Sequence, residues 1–299
     1  MNSAFLQLQE LFSTLENPIR AKVLLATHIA GKTDMNSAND IGIIYKVVFG
    51  EDLSAGSITS NLNRLHKMNL ILKEKEKING TISTNFHSMT DLGKIALLYI
   101  YLTTIGAFTI QEEDKLFKMI QNQNIRKVIN FLLKNSFDKS KSIQKFISRA
   151  IQTKKEKIPQ IKVEPITLDP PRIFAGKNPL RFRIFEELIW NHLDTGFGLS
   201  SDKLTVRLDV PGRIIAHLKA LTPLVEETII QKQKIYRLSR KGISVLVPFS
   251  WLLASTLGDI QAETGIFLAA PHPHDTPVST LVRNSLNFFS SMKEIMGEL

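Results

Sequence analysis

The chain has 299 residues, of which 43% are hydrophobic, so it is long enough for two or three domains with buried cores. It contains no cysteine, which excludes disulfide frameworks, cysteine-ligated zinc and thiol catalysis. The formal net charge of +10 favours a polyanionic partner such as nucleic acid, because Lys and Arg bound to phosphates release counterions.

Residues 1–105 carry a net charge of +1 and predict a first folded domain. A helix is expected from Asn17, which can act as N-cap, with Pro18 in the first turn. Two more helices follow at Asn39–Phe49 and Ser54–Met68, the last with one apolar stripe and one polar face. Two strands then follow, separated by a charged tip with an Asn-Gly turn signal: Leu70–Lys73, Thr81–Met89 and the tip Lys75–Gly80.

Residues 106–177 carry a net charge of +8, the highest of any segment, and predict a basic helical segment with a proline-rich linker. Helical periodicity covers most of the stretch from residue 94 to residue 157. Its basic residues lie along DNA in one interpretation and form a solvated helix face in the other. Five prolines between residues 159 and 179 then indicate an extended connector.

Residues 178–249 carry a net charge of +4 and predict a second folded domain with the same series of elements. A helix begins at Asn178, and two further helices are expected at Ser201–Leu208 and Pro211–Leu221. Strands follow at Leu224–Ile230 and Ile235–Leu238. Thr90 in the first half and Ser239 in the second can each cap a helix after the hairpin.

Residues 250–299 carry a net charge of −3 and predict a C-terminal helical tail. The longest apolar stretches, Ile95–Phe108 and Ile243–Ala254, are shorter than the roughly 20 residues of a membrane span. Since the N-terminal residues also lack a signal-peptide pattern, we expect a cytoplasmic protein with no membrane partner.

Three motifs occur twice in the same order, which indicates an internal duplication. They are NPIRAKV at Asn17–Val23 and NPLRFRI at Asn178–Ile184, GSITSNLNRL at Gly56–Leu65 and GRIIAHLKAL at Gly212–Leu221, and MTDLG at Met89–Gly93 and LSRKG at Leu238–Gly242. We therefore expect both halves to have one architecture, with different loop lengths.

In these motifs each half resembles the winged helix-turn-helix domains of ArsR/MarR/PadR-type transcriptional regulators, over about 75 residues in each half. NPIRAKV resembles the opening of ArsR-type domains, and GSITSNLNRL resembles a recognition helix running into a wing. The resemblance implies a mainly α fold with small β-hairpin wings, in which two winged-helix domains are joined by a helical segment. It also implies double-stranded DNA as partner and a possible homodimer through terminal helices, with tail candidates Leu281, Leu286, Phe288, Phe289 and Met292.

By the same resemblance, the third helix of each half would enter the major groove and the wings would meet phosphates or the minor groove. Asn suits adenine, Arg suits guanine, and Ser and Thr usually contact phosphates. The implied DNA-binding residues are Ser57, Thr59, Ser60, Asn61, Asn63, Arg64, Lys67, Lys73, Lys75 and Lys77 in the first half and Arg213, His217, Lys219, Lys232 and Lys234 in the second.

The leading hypothesis is sequence-specific DNA binding in transcriptional regulation, and two alternatives stay open. One is a replication initiator with tandem winged helices. The other is a protein-interaction scaffold that does not bind DNA, since winged helices also bind proteins. The basic segment and the polar third helix favour DNA, whereas the near-neutral first domain, with Glu74 and Glu76 between the wing lysines, favours the scaffold.

No motif indicates an enzyme, a cofactor or a metal site. Ala30–Thr33 resembles a phosphate-binding loop, but that pattern requires glycine where this chain has Ala26. His272, His274 and Asp275 lie together in a proline-rich loop with no second ligand cluster, which is typical of a turn. Neither a nucleophile motif nor a zinc-protease motif occurs, so we expect a binding protein.

Overall fold

A computed structural model describes residues 3–32, 35–78, 82–104, 167–175, 180–195, 197–210, 214–245, 248–249 and 252. These residues are mainly helical and contain two small antiparallel sheets. They fall into two compact units, which we call the first unit (described residues 14–104 and 167–170) and the second unit (described residues 3–13 and 171–252). The helices expected between residues 105 and 166 and in the tail lie outside the described residues.

The first unit contains four helices and a hairpin: α2 (Pro18–Gly31), α3 (Ala38–Phe49), α4 (Ala55–Lys67), β1 (Ile71–Ile78), β2 (Ile82–Met89) and α5 (Asp91–Thr104). α1 (Ser3–Leu15) precedes them. The predicted bounds of α3 and α4 are confirmed to within one residue.

Local sequence explains where the helices of the first unit begin and end. Asn17 caps α2 by accepting a hydrogen bond from the backbone N–H of Arg20 at 3.0 Å. Ser37 and Asp40 form a reciprocal capping box at the start of α3, and Gly50 ends α3 with a left-handed φ of 68°. Ser54 caps α4 through the N–H of Ser57.

The hairpin of the first unit is longer than the sequence predicts. The expectation that the first strand ends at Lys73 is wrong, because β1 stays paired with β2 from Ile71↔Met89 to Ile78↔Ile82. The charged run that suggested a tip is instead part of the strand, since a two-stranded ribbon can leave both its faces in water beyond the core.

The second unit contains α1 and the elements α6 (Leu180–Thr195), β3 (Leu199–Ser200), α7 (Ser201–Leu208), α8 (Ile214–Ala220), β4 (Val225–Ile230) and β5 (Gln233–Leu238). The sheet order is β3-β5-β4, so β4 lies at an edge. Gln231 and Lys232 connect β4 to β5 with φ values of 49° and 66°, the left-handed pair expected of a tight two-residue hairpin turn.

The core of the second unit includes a cluster of phenylalanines. The ring of Phe12, from α1, lies 5.3 Å from that of Phe174, 5.4 Å from that of Phe182 and 5.5 Å from that of Phe249. Phe12 is fully buried. Sequence analysis did not identify α1, although Leu8, Leu11 and Phe12 have the spacing of one apolar helix face.

The duplicated motifs adopt the same local geometry in both units. The Thr90 hydroxyl accepts from the N–H of Gly93 and donates to the carbonyl of Asn69, and the Ser239 hydroxyl makes the equivalent bonds with Gly242 and Pro223. A Cβ on Gly93 would lie 2.0 Å from the carbonyl oxygen of Leu70. The corresponding distance from Gly242 to Leu224 is also 2.0 Å.

A short strand before α7 is a shared feature that sequence analysis missed. In the second unit, β3 pairs with β5 through Leu199↔Tyr236 and Ser200↔Ile235. In the first unit, a single bridge between Ser37 and Phe86 occupies the corresponding place. Ser37 and Ser200 each also cap the next helix, so each unit has the order helix, short strand or bridge, two helices and a hairpin.

Within the described residues, no helix is long and apolar enough to cross a membrane.

Candidate nucleic-acid interface

The buried side of α4 in the first unit determines which of its side chains point into solvent. Ile58, Leu62 and Leu65 are each 1% exposed and hold one face of the helix against the core. The opposite face is polar: Thr59, Ser60, Asn63 and Lys67 are exposed, whereas Ser57, Asn61 and Arg64 are partly buried at its edges. Asn63 and Lys67 are therefore the exposed amide and the exposed cation of this face.

Asn61, one of the two asparagines expected to contact DNA, is already engaged within its own helix. Its Nδ2 donates to the carbonyl oxygen of Ser57 at 2.8 Å. This bond orients the carboxamide along the helix, and only a rearrangement would free both of its groups for a base edge. Asn63 is exposed whereas Asn61 is partly buried, so exposure favours Asn63 as a base-contacting amide, although its Oδ1 accepts a hydrogen bond from Lys73.

Arg64 lies beside a second arginine that sequence analysis did not select. Burial lowers the pKa of Arg20, and the nearby charge of Arg64 lowers it further. Arg20 comes from the start of α2, in the duplicated NPIRAKV motif. The two guanidinium groups concentrate positive charge at one edge of α4.

The hairpin of the first unit places its lysines beside α4. Lys73 Nζ donates to Asn63 Oδ1 at 3.2 Å, which joins the strand to the helix. Because side chains alternate along a strand, Lys75 lies on the same face as Lys73, and Glu74 lies on the opposite face. The backbone of Lys77 lies in β1, but its side chain is outside the described residues. We call Ser60, Asn63, Arg64, Lys67, Lys73 and Lys75 the first-unit polar face.

The helix α4 and the turn that follows it contain no acidic side chain. The sequence from Leu53 to Lys73 contains no Asp or Glu. The two carboxylates just before it are paired: Glu51 with Lys22 and with the hydroxyl of Tyr45, and Asp52 with Lys46. The bond to Lys22 is the main cause that lowers the pKa of Glu51. The first-unit polar face is therefore more positive than the net charge of +1 suggests.

The corresponding surface of the second unit has different chemistry. When the duplicated motifs are aligned, Thr59 and Ser60 correspond to Ile215 and Ala216, and Arg64 corresponds to Ala220. On the hairpin, the matched carbonyls of Leu70 and Leu224 set the register. Lys73 then corresponds to Glu227, and Lys75 to Ile229. Polar and basic positions have become apolar or acidic.

The basic residues expected to bind DNA from the second unit are partly neutralised. Lys234 forms an ion pair with Glu227 at 2.8 Å, and the charge of nearby Lys219 is a further cause that lowers the pKa of Glu227. Burial, and then the charge of Arg181, lowers the pKa of His217 and favours its neutral form. Lys232 is exposed at the hairpin turn, and Arg213 lies outside the described residues.

The second unit instead exposes large apolar side chains near this surface. Ile215 on α8 is 52% exposed, and Ile229 and Ile230 at the end of β4 are 70% and 52% exposed. The ion pair of Arg237 with Glu226, at 2.6 Å, occupies the other face of the hairpin. A polyanion would gain little from such a surface.

In the part of the chain that the structure describes, no three His, Asp or Glu side chains are grouped so that they could hold a metal ion. His272, His274 and Asp275 lie outside it. Comparison of the chain with protein-family models, with curated proteins and with solved structures finds no match.

Proposed function

We propose that the chain is a transcription regulator in which both units are winged helices and the first unit binds double-stranded DNA in a sequence-dependent way. The order of elements in each unit, helix, short strand or bridge, two helices and hairpin, is that of a winged helix. The shared caps at Thr90 and Ser239 support a common fold for both.

The observation that carries the DNA proposal is the joined surface of α4 and β1, where Lys73 contacts Asn63 and the segment Leu53–Lys73 contains no acidic residue. In a winged helix, the third helix enters the major groove, and the wing lies along the neighbouring backbone. Asn63 and Lys67 are one helical turn apart on the exposed side of α4, where they can reach base edges. Lys73 and Lys75 then face phosphates.

The direct test of sequence reading is selection of bound duplexes from a randomised library by the full chain. We expect wild type to enrich a motif and Asn63→Ala to lose preference at one position, a change of about 1–3 kcal/mol in discrimination. Asn61→Ala is the matched control, because its amide already donates within the helix, and it should keep the motif. Enrichment of no motif by wild type would contradict sequence-specific binding.

A second function, protein binding, is favoured for the second unit alone by one observation. Ile215 and Ile229 are exposed at the positions where the first unit has Thr59 and Lys75. Exposed apolar side chains grouped on one surface are typical of protein interfaces. The two winged helices would then divide DNA binding and protein binding between them.

A further inference from the structure

The third helix and hairpin of the second unit form a surface that suits a protein partner. We call Ile215, Ala216, Lys219, Glu227, Ile229 and Lys234 the second-unit hairpin surface. The helix α8 runs directly into β4, since the N–H groups of Leu224 and Val225 donate to the carbonyl of Leu221 at 2.8 and 2.9 Å. The charge of Lys219 is also one of the causes that lower the pKa of Glu227. Ile215 lies one turn before Lys219, and Ile229 lies two residues beyond Glu227 on the same strand face.

The outer end of the edge strand β4 in the second-unit sheet lacks the charged side chains that discourage pairing with a strand of another molecule. β4 is an edge strand that ends in three uncharged β-branched residues, Thr228, Ile229 and Ile230. The corresponding stretch of the first unit, Glu74–Glu76, has a charge at every position. Charged side chains on an edge strand discourage pairing with another strand, and β4 lacks that protection where Ile229 and Ile230 are exposed.

The second-unit hairpin surface carries charges of both signs, which a contact with its own copy requires. Glu227 lies between two amines, those of Lys219 and Lys234. An interface with two-fold symmetry requires one patch that is complementary to its own copy. In a two-fold contact centred near Ile229, an amine of each molecule would pair with the carboxylate of the other around an apolar centre.

We propose that the second-unit hairpin surface binds the same surface of a second copy of this chain and makes a homodimer. The contact does not require DNA. It differs from the terminal-helix dimer that the family resemblance implies, because it uses α8 and β4. Where the proposed DNA binding also holds, the dimer presents two α4 helices and reads two related half-sites.

The test is the mass of the full chain in solution without DNA, measured by sedimentation equilibrium across micromolar concentrations. Wild type is expected at twice 33.7 kDa. The variant Ile215→Thr with Ile229→Lys gives the second unit the residues that the first unit has at these positions. It should weaken the dimer by about tenfold or more, since central apolar residues dominate interfaces.

A matched control separates this surface from apolar exposure in general. Leu72 is 46% exposed on the first-unit hairpin and corresponds to Glu226 of the second unit, so Leu72→Glu makes the reverse exchange. This variant should remain a dimer. Glu227→Lys is the second variant, for use if the double variant fails to fold. It introduces the residue that the first unit has, removes no apolar group and should also weaken the dimer.

Two results would overturn the proposal. One is a monomeric wild type at all concentrations tested. The other is a dimer that neither the folded double variant nor Glu227→Lys weakens, which would place the contact on another surface such as the tail. Because no DNA is present, either result leaves the proposed DNA binding of the first unit to its own test.

Discussion

At the scale of single residues, Asn61 and Asn63 show what a sequence pattern cannot resolve. Both are polar residues on a helix whose apolar stripe is evident from sequence, and both were expected to contact DNA. The hydrogen bond from Asn61 to Ser57 and the contact of Asn63 with Lys73 depend on side-chain rotamers and on the hairpin position. The polar face is therefore predictable, but the role of each amide on it is not.

His28 in α2 makes the stability of the first unit depend on pH. Burial is the main cause that lowers its pKa, from 6.5 to about 4, and the charges of Lys32 and Lys94 add to it. The unfolded chain binds the proton more tightly, so this contribution is complete above pH 6.5. It is lost as pH falls towards 4, by up to about 3 kcal/mol.

The measurement is urea unfolding at pH 7.5 and pH 4.5, with His28→Gln beside wild type. We expect wild type to lose more stability than the variant on acidification. Equal losses in both proteins would show that other groups determine the acid response of the first unit.

At the scale of elements, each hairpin is followed by a glycine of the duplicated motif, because the helix after it approaches the backbone of the first strand closely. Gly93→Ala would place Cβ against the carbonyl of Leu70, and Gly242→Ala against that of Leu224. Since backbone atoms block the space, we expect each change to destabilise its own unit by about 3 kcal/mol.

Gly56→Ala, in α4, is the matched control because nothing lies within 4 Å of its added Cβ. It should stabilise the helix by about 0.5–1 kcal/mol, since alanine favours helix over glycine. Chemical denaturation of the three variants measures both effects. A loss of stability for Gly56→Ala as large as that for Gly93→Ala would contradict the steric explanation.

The sequence predicted the bounds of capped helices well. It predicted poorly the bounds of strands that contribute few residues to the core. Ser54 and Ser200 mark the starts of α4 and α7, and α7 has the predicted bounds. β3 has only two residues, which is too short for an alternating pattern to appear. The outer part of β1 alternates Lys and Glu, a pattern that solvated strands and loops share.

At the scale of the whole molecule, the grouping of α1 with the second unit could not be predicted, because it depends on contacts between residues far apart in sequence. Phe12 packs against Phe174, Phe182 and Phe249 in that unit. Removing its ring leaves a cavity, so Phe12→Ala should cost the second unit about 3–5 kcal/mol.

Amide hydrogen exchange on the full chain distinguishes the two units. Phe12→Ala should reduce protection in α6 and β5 of the second unit and leave α4 of the first unit protected. Lower protection in α4 with no change in β5 would contradict the assignment of Phe12 to the second unit.

The duplication itself was evident from sequence, whereas the divergence of its two surfaces became evident only from their geometry. The net charge of each unit does not describe the charge on the surface of its third helix and hairpin. The first unit is nearly neutral overall, but Glu51, Asp52 and Asp91 are paired with lysines, and Leu53–Lys73 contains no acidic residue. The second unit is more basic by sequence, but Lys234 is paired with Glu227.

The central claim, that the first-unit polar face binds DNA, is tested most directly by the salt dependence of duplex binding. The affinity is measured over a salt series for wild type, for Lys73→Ala with Lys75→Ala, and for Lys203→Ala with Lys232→Ala, two exposed lysines of the second unit outside its hairpin surface. Each phosphate contact contributes about 0.9 to the slope of log affinity against log salt. We predict that the first pair lowers the slope by up to about 1.8 and that the second leaves it unchanged. A slope unchanged by the first pair and lowered by the second would contradict the account.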